Sequence, residues 1–403
     1  MLSERPFRLA VLASHPIQYQ GALYRLLASN PEIDLTVFFC SDSGLRPYKD
    51  EGFGRVVKWD IPLLEGYRSQ FLGNVSLAPT TSRFWGLINP AILRHIRKKN
   101  FDAVWIHGWG YLTNWLALLT GFVLGVPVLL RSETNLLPTL RPWKKFLKQN
   151  LLKQLFKRVS AFLAIGSFNA EFYQAYGVPK EKIFLVPYSV DNDFFISKAA
   201  ELLPKKENLK KTHGIPPELP VILFSGKLSA KKRPMDLLEA FSDVSRRAKA
   251  ALVFVGDGAL ASDLKAYVEQ NHCENVYFVG FQNQTELPTY YAMADLFVLP
   301  SDFEPWGLVV NEAMCFALPV ITSDQVGSSG DLVQAGTNGF VFPYGNISAL
   351  AEKMELLIGN PTLRDQMGRA SREIIGKWSY TTGIESLMKC IKILRGRNNT
   401  KQV

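Results

Sequence analysis

The 403-residue sequence predicts an α/β protein built from two doubly wound, Rossmann-like domains. Three observations carry this expectation. The length exceeds what a single hydrophobic core usually serves, which sets two domains. Short apolar, β-branched runs alternate with segments of helical period along most of the chain, the pattern of parallel sheets covered by helices. The whole formal net charge of +10 falls in residues 1–200, while residues 201–403 balance. Two halves of such different charge are expected to meet different partners, the first half an anionic lipid or a phosphate-bearing acceptor.

In the first half, Arg8 to Ala13 reads as a strand. The loop SHPIQYQ leads into a helix with Leu23, Leu26 and Leu27 on one side, and Asp34 to Cys40 is the second strand. Residues 43–84 read as irregular and aromatic-rich, with Tyr48, Phe53, Trp59, Tyr67, Phe71 and Phe84. A loop region this long in a compact domain is usually functional, and acceptor binding is its expected role. A helix near Pro90 to Lys99 and a strand from Ala103 to Ile106, ending at His107, come next. Gly108 to Leu130 carries no formal charge and is long enough to suggest a membrane span. Gly125-Val126-Pro127 interrupts it, and proline inside a helix costs about 3 kcal/mol. A helix from Tyr111 to Leu124 followed by a strand from Val128 to Leu130 explains the same letters. Strands Ala161 to Ile165 and Ile183 to Pro187 complete the domain. Doubly wound sheets bind ligands beyond the carboxyl ends of their strands, where His107 and Arg131-Ser132-Glu133 fall.

The stretch Arg141 to Val159 is basic and amphipathic: Trp143, Phe146, Leu147, Leu151, Leu155 and Val159 recur at helical spacing, and Lys144, Lys145, Lys148 and Lys153 occupy other faces. The expected compromise is an apolar stripe packed inward with the lysines and Trp143 touching the head groups of an anionic membrane. Cys40, Cys273, Cys315 and Cys390 are scattered, without the spacing of a zinc site or a disulfide framework. The apolar run Leu9 to Ala13 is too short for a signal peptide, so cytoplasmic placement is expected, with peripheral contact on the inner face of the cell membrane. No nucleic-acid partner is expected.

The second half is organised around residues 294–323. LFVLP and PVITS read as buried parallel strands, and between them Glu304-Pro305-Trp306-Gly307 makes a turn into a short helix beginning at Leu308. Free N–H groups at a helix N-terminus form an anion site. Glu304 lies before the helix and Glu312 inside it. Carboxylates repel phosphate but accept hydrogen bonds from hydroxyls, so the combination suits a ligand that is part phosphate and part sugar. Two solvated glutamates on a helix would have the same spacing.

SDFEPWGLVVNEAMCFALPVITSD resembles the E-x7-E segment of family 4 nucleotide-sugar glycosyltransferases, enzymes of GT-B fold. SGKLSAKKRPMDLLEAF, VFVGDGAL, VGFQNQTELPTYYAMADLFVLPS and GSSGDLVQAGTNGFVF follow in that family's order, so the resemblance covers roughly Pro220 to Pro343. It implies two Rossmann-like domains facing an interdomain cleft: an acceptor-binding domain over residues 1–196, a linker over 197–217 and a donor-binding domain over 218–378. A last helix, 379–394, would cross back onto the first domain. It also implies that Lys227 and Lys232 neutralise a donor diphosphate, with Gly226, Phe281, Trp306, Gly307 and Leu308 around the donor, Glu304 on its sugar and Glu312 on its ribose. Lys231 and Arg233 read as solvated charge.

Two positions depart from the family pattern. His15-Pro16-Ile17-Gln18-Tyr19 stands where the family usually has a glycine-rich loop, and His15 either orients a sugar or acceptor hydroxyl or holds the loop. Glu133 stands where many members have a histidine credited with contacting the donor sugar. It either accepts a hydrogen bond from a reacting hydroxyl or pairs with Arg131 or another cation to shape the loop.

Asp191-Asn192-Asp193 has the letters of a metal-binding D-x-D, but it sits where the family has a loop, so no metal is expected. Gly256 and Gly258 match G-x-G-x-x-A after a strand, the dinucleotide fingerprint. The acidic residue required after the next strand is replaced by Gly280-Phe281-Gln282, so the glycines read as a turn beside a nucleotide. The resulting expectation is a retaining, cofactor-free and metal-independent transferase. It would move a sugar from a nucleoside-diphosphate sugar to a glycan or lipid-linked acceptor, in bacterial surface polysaccharide or glycolipid synthesis. A catalytically silent nucleotide-sugar-binding protein of the same fold is the alternative, and an NAD-dependent oxidoreductase a weaker one.

Overall fold

The computed structural model describes the backbone of residues 5–50, 52–97, 99–137 and 142–399, and their side chains except at 49, 142–148 and 397–399. The described residues divide into two compact units. The first draws on 1–47, 61–188 and 380–403, the second on 48–60 and 189–379.

In chain order the first half contains β1 (Phe7–Ala13), α1 (Gln18–Ser29), β2 (Ile33–Phe39), β3 (Tyr48–Asp50), β4 (Arg55–Val57), β5 (Arg68–Phe71), α2 (Ile92–His95) and β6 (Ala103–His107). It continues with α3 (Leu112–Leu124), β7 (Val128–Arg131), α4 (Pro142–Arg158), β8 (Ala161–Ala164), α5 (Ser167–Ala175) and β9 (Ile183–Leu185). The first unit's sheet runs β5-β2-β1-β6-β7-β8-β9, all parallel. Its central strands β1, β6, β7 and β8 are apolar on both sides because both faces are covered. Phe38, Val104, Ile106 and Leu130 pack with residues of α2 to α5. Leu9, Val11, Val37 and Trp105 pack on the other face with α1 and the C-terminal helix.

Residues 108–131 adopt the expected helix and strand. α3 ends at Gly125, which takes φ 63°, and β7 follows Pro127. Among the described residues no helix is long and apolar enough to cross a membrane. In α4 the inward stripe is Leu152, Leu155 and Phe156, continued by Val159 just past its end, whereas Leu151, expected in that stripe, is exposed. The side chains of Trp143, Lys144, Lys145, Phe146, Leu147 and Lys148, expected at head groups, lie outside the described residues.

The region 43–84 is more ordered than its composition suggests. β5 joins the sheet edge in parallel with β2, Thr36 opposite Arg68. Its sequence, Arg-Ser-Gln-Phe, is exposed except at Ser69, so it carries none of the apolar signal by which a strand is recognised. β3 and β4 pair as an antiparallel hairpin, and the hairpin belongs to the second unit.

The second unit continues with α6 (Asn192–Leu202), α7 (Lys206–Thr212), β10 (Val221–Ser225), α8 (Pro234–Ser245), β11 (Ala251–Val255), α9 (Ala261–Gln270), β12 (Val276–Gly280) and α10 (Leu287–Met293). Then come β13 (Leu296–Leu299), α11 (Leu308–Cys315), β14 (Val320–Ser323), α12 (Ser329–Leu332), β15 (Gly339–Phe342), α13 (Ile347–Gly359) and α14 (Pro361–Gly376). The parallel sheet runs β12-β11-β10-β13-β14-β15, the Rossmann order whose switch point lies between β10 and β13.

The stretch 197–217 is largely helical. Lys206 and Lys210 of α7 pair with Asp295 at 2.8 and 3.1 Å, and Asp295 also accepts the Val221 N–H, so α7 is tied to the starts of β10 and β13. α15 (Tyr380–Asn399) returns to the first unit, burying Leu387, Cys390, Ile391 and Leu394 against its sheet. Tyr380 Oη donates to Tyr19 O at 2.6 Å.

Candidate functional site

At the switch point of the second unit, the loops after β10 and β13 bring Lys232 and Glu304 together in a half-buried ion pair, Nζ on Oε2. The Glu304 loop is braced by the loop after β14. Glu304 N–H donates to Gln325 O at 3.0 Å, Gly327 N–H to Glu304 O at 2.8 Å, and Ser328 N–H to Trp306 O at 3.0 Å. Gly307 then takes φ 94° as the residue before α11, and no side chain caps that helix. A Cβ at Gly307 would be strained in this conformation and would press on Leu299, Glu304 and Val326 at 3.1 to 3.2 Å. Leu308 opens α11, so main-chain N–H groups and a positive dipole end sit beside the Lys232–Glu304 pair. Trp306 points inward: it is buried, its Nε1–H donates to Asn311 Oδ1 at 2.9 Å, and its ring lies 5.4 Å from Trp378. Its side chain therefore serves packing.

Gly226, Gly256 and Gly258 interlock the loops after β10 and β11. Gly226 N–H donates to Val255 O, and Gly256, at φ 136°, passes so close that a Cβ would stand 1.9 Å from Gly226 O. Asp191-Asn192-Asp193 forms a helix start, Asp191 accepting the Phe194 N–H at 3.1 Å and Asn192 bonding Ile375 O and Trp378 O. Lys231 and Arg233 are engaged as well, Lys231 over the Phe303 ring and Arg233 on Asp236.

Glu312 is buried in α11, and Tyr291 Oη–H donates to its Oε2 at 2.6 Å. Burial pushes the carboxyl up to about 7, the tyrosine bond opposing this only in part. The folded chain thus holds a proton that the unfolded chain has lost above its ordinary 4.5. The stabilisation is complete below 4.5 and is lost as pH rises through about 7. Relative to wild type, Glu312→Gln is expected to gain stability between pH 5 and pH 8, by up to about 3 kcal/mol. Urea titrations at the two pH values check this, and an identical difference at both would remove Glu312 as the titrating group.

Sequence reasoning missed the hairpin that completes this site. Asp50 of β3 accepts from Lys227 Nζ at 2.8 Å, and the ammonium lies 4.8 Å from the Phe53 ring centre. Burial raises the Asp50 carboxyl, but Lys227 and the N–H groups of Phe53 and Gly52 outweigh that and leave it below its usual value. Phe53, Trp59 and Arg55 surround Phe281, at 4.8, 6.1 and 5.5 Å. Asn283 and Thr285 bond Lys58 O and Asp60. Lys227, Lys232 and Phe281 thus all lie past the carboxyl ends of strands of the second sheet, each cation resting on a carboxylate.

The first unit has its own pocket, about 420 Å³, at the carboxyl ends of β1, β6 and β7. Ser14, Gln20, His107, Tyr111, Arg131 and Glu133 contribute to its lining. Glu133 accepts from Tyr188 Oη, which is 2.9 Å from Tyr19 Oη. Its partner among the described residues is therefore a phenol and not Arg131, which corrects the ion-pair alternative. His15 lies against Ser14, Nδ1 2.9 Å from Oγ, outside this lining, and burial lowers its pKa. His107 is in the lining, half-buried, its Nε2 3.1 Å from Tyr24 Oη. Burial and then the Arg131 charge push it down to about 3, so it is a neutral imidazole.

Comparison with known proteins follows the same division. Residues 205–374 match the family described as "Glycosyl transferases group 1", and residues 16–189 match "Glycosyl transferase 4-like domain". The chain belongs to the GT-B glycosyltransferases. HepE from Anabaena, solved in complex with UDP and glucose, shares the fold of this chain at TM-score 0.70 and 18% identity, over 96% of this chain and 99% of that one. Alpha-D-kanosaminyltransferase of Streptomyces kanamyceticus is 28% identical over 192 residues, 47% of this chain and 48% of that protein. N-acetyl-alpha-D-glucosaminyl L-malate synthase of Bacillus anthracis is 30% identical over 211 residues, 51% and 54%. The chain thus spans about half the length of these curated relatives.

Proposed function

We propose that the protein is a retaining, metal-independent glycosyltransferase whose second unit binds a nucleoside-diphosphate sugar and whose first unit holds a glycan or lipid-linked acceptor. The observation that carries this reading is the convergence, at the β10/β13 switch point, of two lysines, an uncapped helix start and two carboxylates. Lys227 and Lys232 stabilise the charge that develops on the leaving diphosphate. Glu304 accepts from the transferred sugar while holding Lys232, and Glu312 accepts from the ribose. Because HepE was solved with UDP and glucose, uridine diphosphate and its sugars are the first ligands to test. Release of nucleoside diphosphate from such a sugar by the purified chain tests the reading, and nucleotide binding without any turnover would favour a silent binding protein.

A role in surface polysaccharide or glycolipid synthesis at the inner face of an anionic membrane is part of the same proposal. It is supported by the basic character of α4, with Lys157 and Arg158 exposed, and by Leu119 and Val123 exposed on the charge-free α3. Cosedimentation with vesicles containing phosphatidylglycerol checks it. Binding that is indifferent to lipid charge and to salt would end it.

A further inference from the structure

The pocket of the first unit contains a buried cation that has no ion pair among the described residues. Arg131 ends β7, is only 4% exposed and contributes to the pocket lining. Its guanidinium lies 5.5 Å from the Trp105 ring centre and 5.0 Å from that of Tyr188. Nη2 makes one long bond, 3.4 Å, to Pro187 O, and Nη1 is buried with no hydrogen-bond partner among the described residues. The neighbouring acid, Glu133, is engaged by Tyr188, and the neighbouring imidazole, His107, is neutral. A guanidinium cannot shed its proton, and a buried charge is costly unless it is paired, so the fold maintains a cation with which none of the described residues forms an ion pair. Two aromatic faces fix its plane and offset part of that cost without supplying an acceptor. Gln20, in the same lining, receives Tyr24 Oη–H on its Oε1, which leaves its amide NH2 to donate.

We propose that Arg131 is an oxyanion receptor, and that the acceptor presents a phosphate or carboxylate to this pocket. The word acceptor rests on the transferase reading; oxyanion binding at Arg131 does not. An oxyanion can receive two parallel N–H bonds from a fork of this kind, which a lysine at the same position would not supply.

The test uses the full chain carrying Lys227→Ala and Lys232→Ala, so that the second unit's cations do not contribute. Inorganic phosphate and acetate are titrated at constant ionic strength with thermal unfolding as the readout. At least one is expected to raise the midpoint, and their ranking tells phosphate from carboxylate. Arg131→Met should weaken that oxyanion by about tenfold or more, and Arg131→Lys should fall between, because it keeps the charge and loses the fork. Without oxyanions, Arg131→Met should be at least as stable as its parent, since it removes an unpaired buried charge. If neither oxyanion stabilises the parent while nucleoside diphosphate still binds the wild type, the inference falls and the donor site stands. Marked destabilisation of both Arg131 variants without oxyanions, or an undiminished response in Arg131→Met, would make Arg131 structural and overturn the proposal.

Discussion

Glu304→Ala is expected to lower turnover of the nucleoside-diphosphate sugar by about 10²–10³, the range found when one group facing the developing charge is removed. Two losses combine. The sugar loses a hydrogen-bond acceptor, and Lys232 loses the carboxylate that holds its ammonium beside the start of α11. The Lys232–Glu304 pair is half-buried, so the lysine left behind is partly desolvated and unanchored. Both effects fall on the reacting end of the donor. Affinity for the nucleoside diphosphate alone should therefore change less than turnover. Steady-state kinetics with direct binding measurements separate these, and turnover within tenfold of wild type would remove Glu304 from the reacting centre. Glu304→Gln is expected to recover part of the loss, because the amide oxygen still accepts while the charge that anchors Lys232 is gone.

Lys227→Ala and Lys232→Ala are each expected to weaken nucleoside diphosphate by about 10- to 100-fold, the worth of a charge-assisted hydrogen bond, and to leave the nucleoside nearly unaffected. The structure adds a condition that the sequence did not show. Lys227 already rests on Asp50, so a diphosphate gains only the difference between two carboxylate-like partners. Asp50→Asn should then tighten nucleoside diphosphate, because Lys227 no longer gives up an ion pair to bind it. Calorimetric titration of the three variants with both ligands decides the matter. Equal weakening of nucleoside and nucleoside diphosphate would show that the lysines act through folding. Weaker diphosphate binding in Asp50→Asn would show that the hairpin supports the ligand instead of competing with it.

What was legible in the chain is what local spacing controls. LFVLP and PVITS had to be buried strands, and the turn 304–307 had to open a helix, because each follows from a few consecutive residues and their side-chain period. The charge-free stretch 108–130 resolved into α3 and most of β7 for the same reason, with Gly125 and Pro127 setting the break. Lys232 and Glu304 were both singled out, yet their ion pair spans 72 positions and exists only because β10 and β13 are neighbours at the switch point. Trp306 read as a donor contact, and tertiary packing turned its ring onto Trp378.

The sequence alone set the alternation of strands and helices, the glycine turns and the placement of charged residues at strand ends, since these depend on backbone sterics and nearest neighbours. Only the tertiary structure decided that residues 48–60 join the second unit and place Asp50 on Lys227, that Glu133 meets Tyr188, and that Arg131 is buried without an ion pair among the described residues. Each is a meeting of residues 55 or more positions apart, or the failure of such a meeting, and no local preference encodes it. Such contacts form where the burial of each unit's core brings distant loops to the carboxyl ends of its strands, and the side chains then take whichever partners that packing leaves within reach.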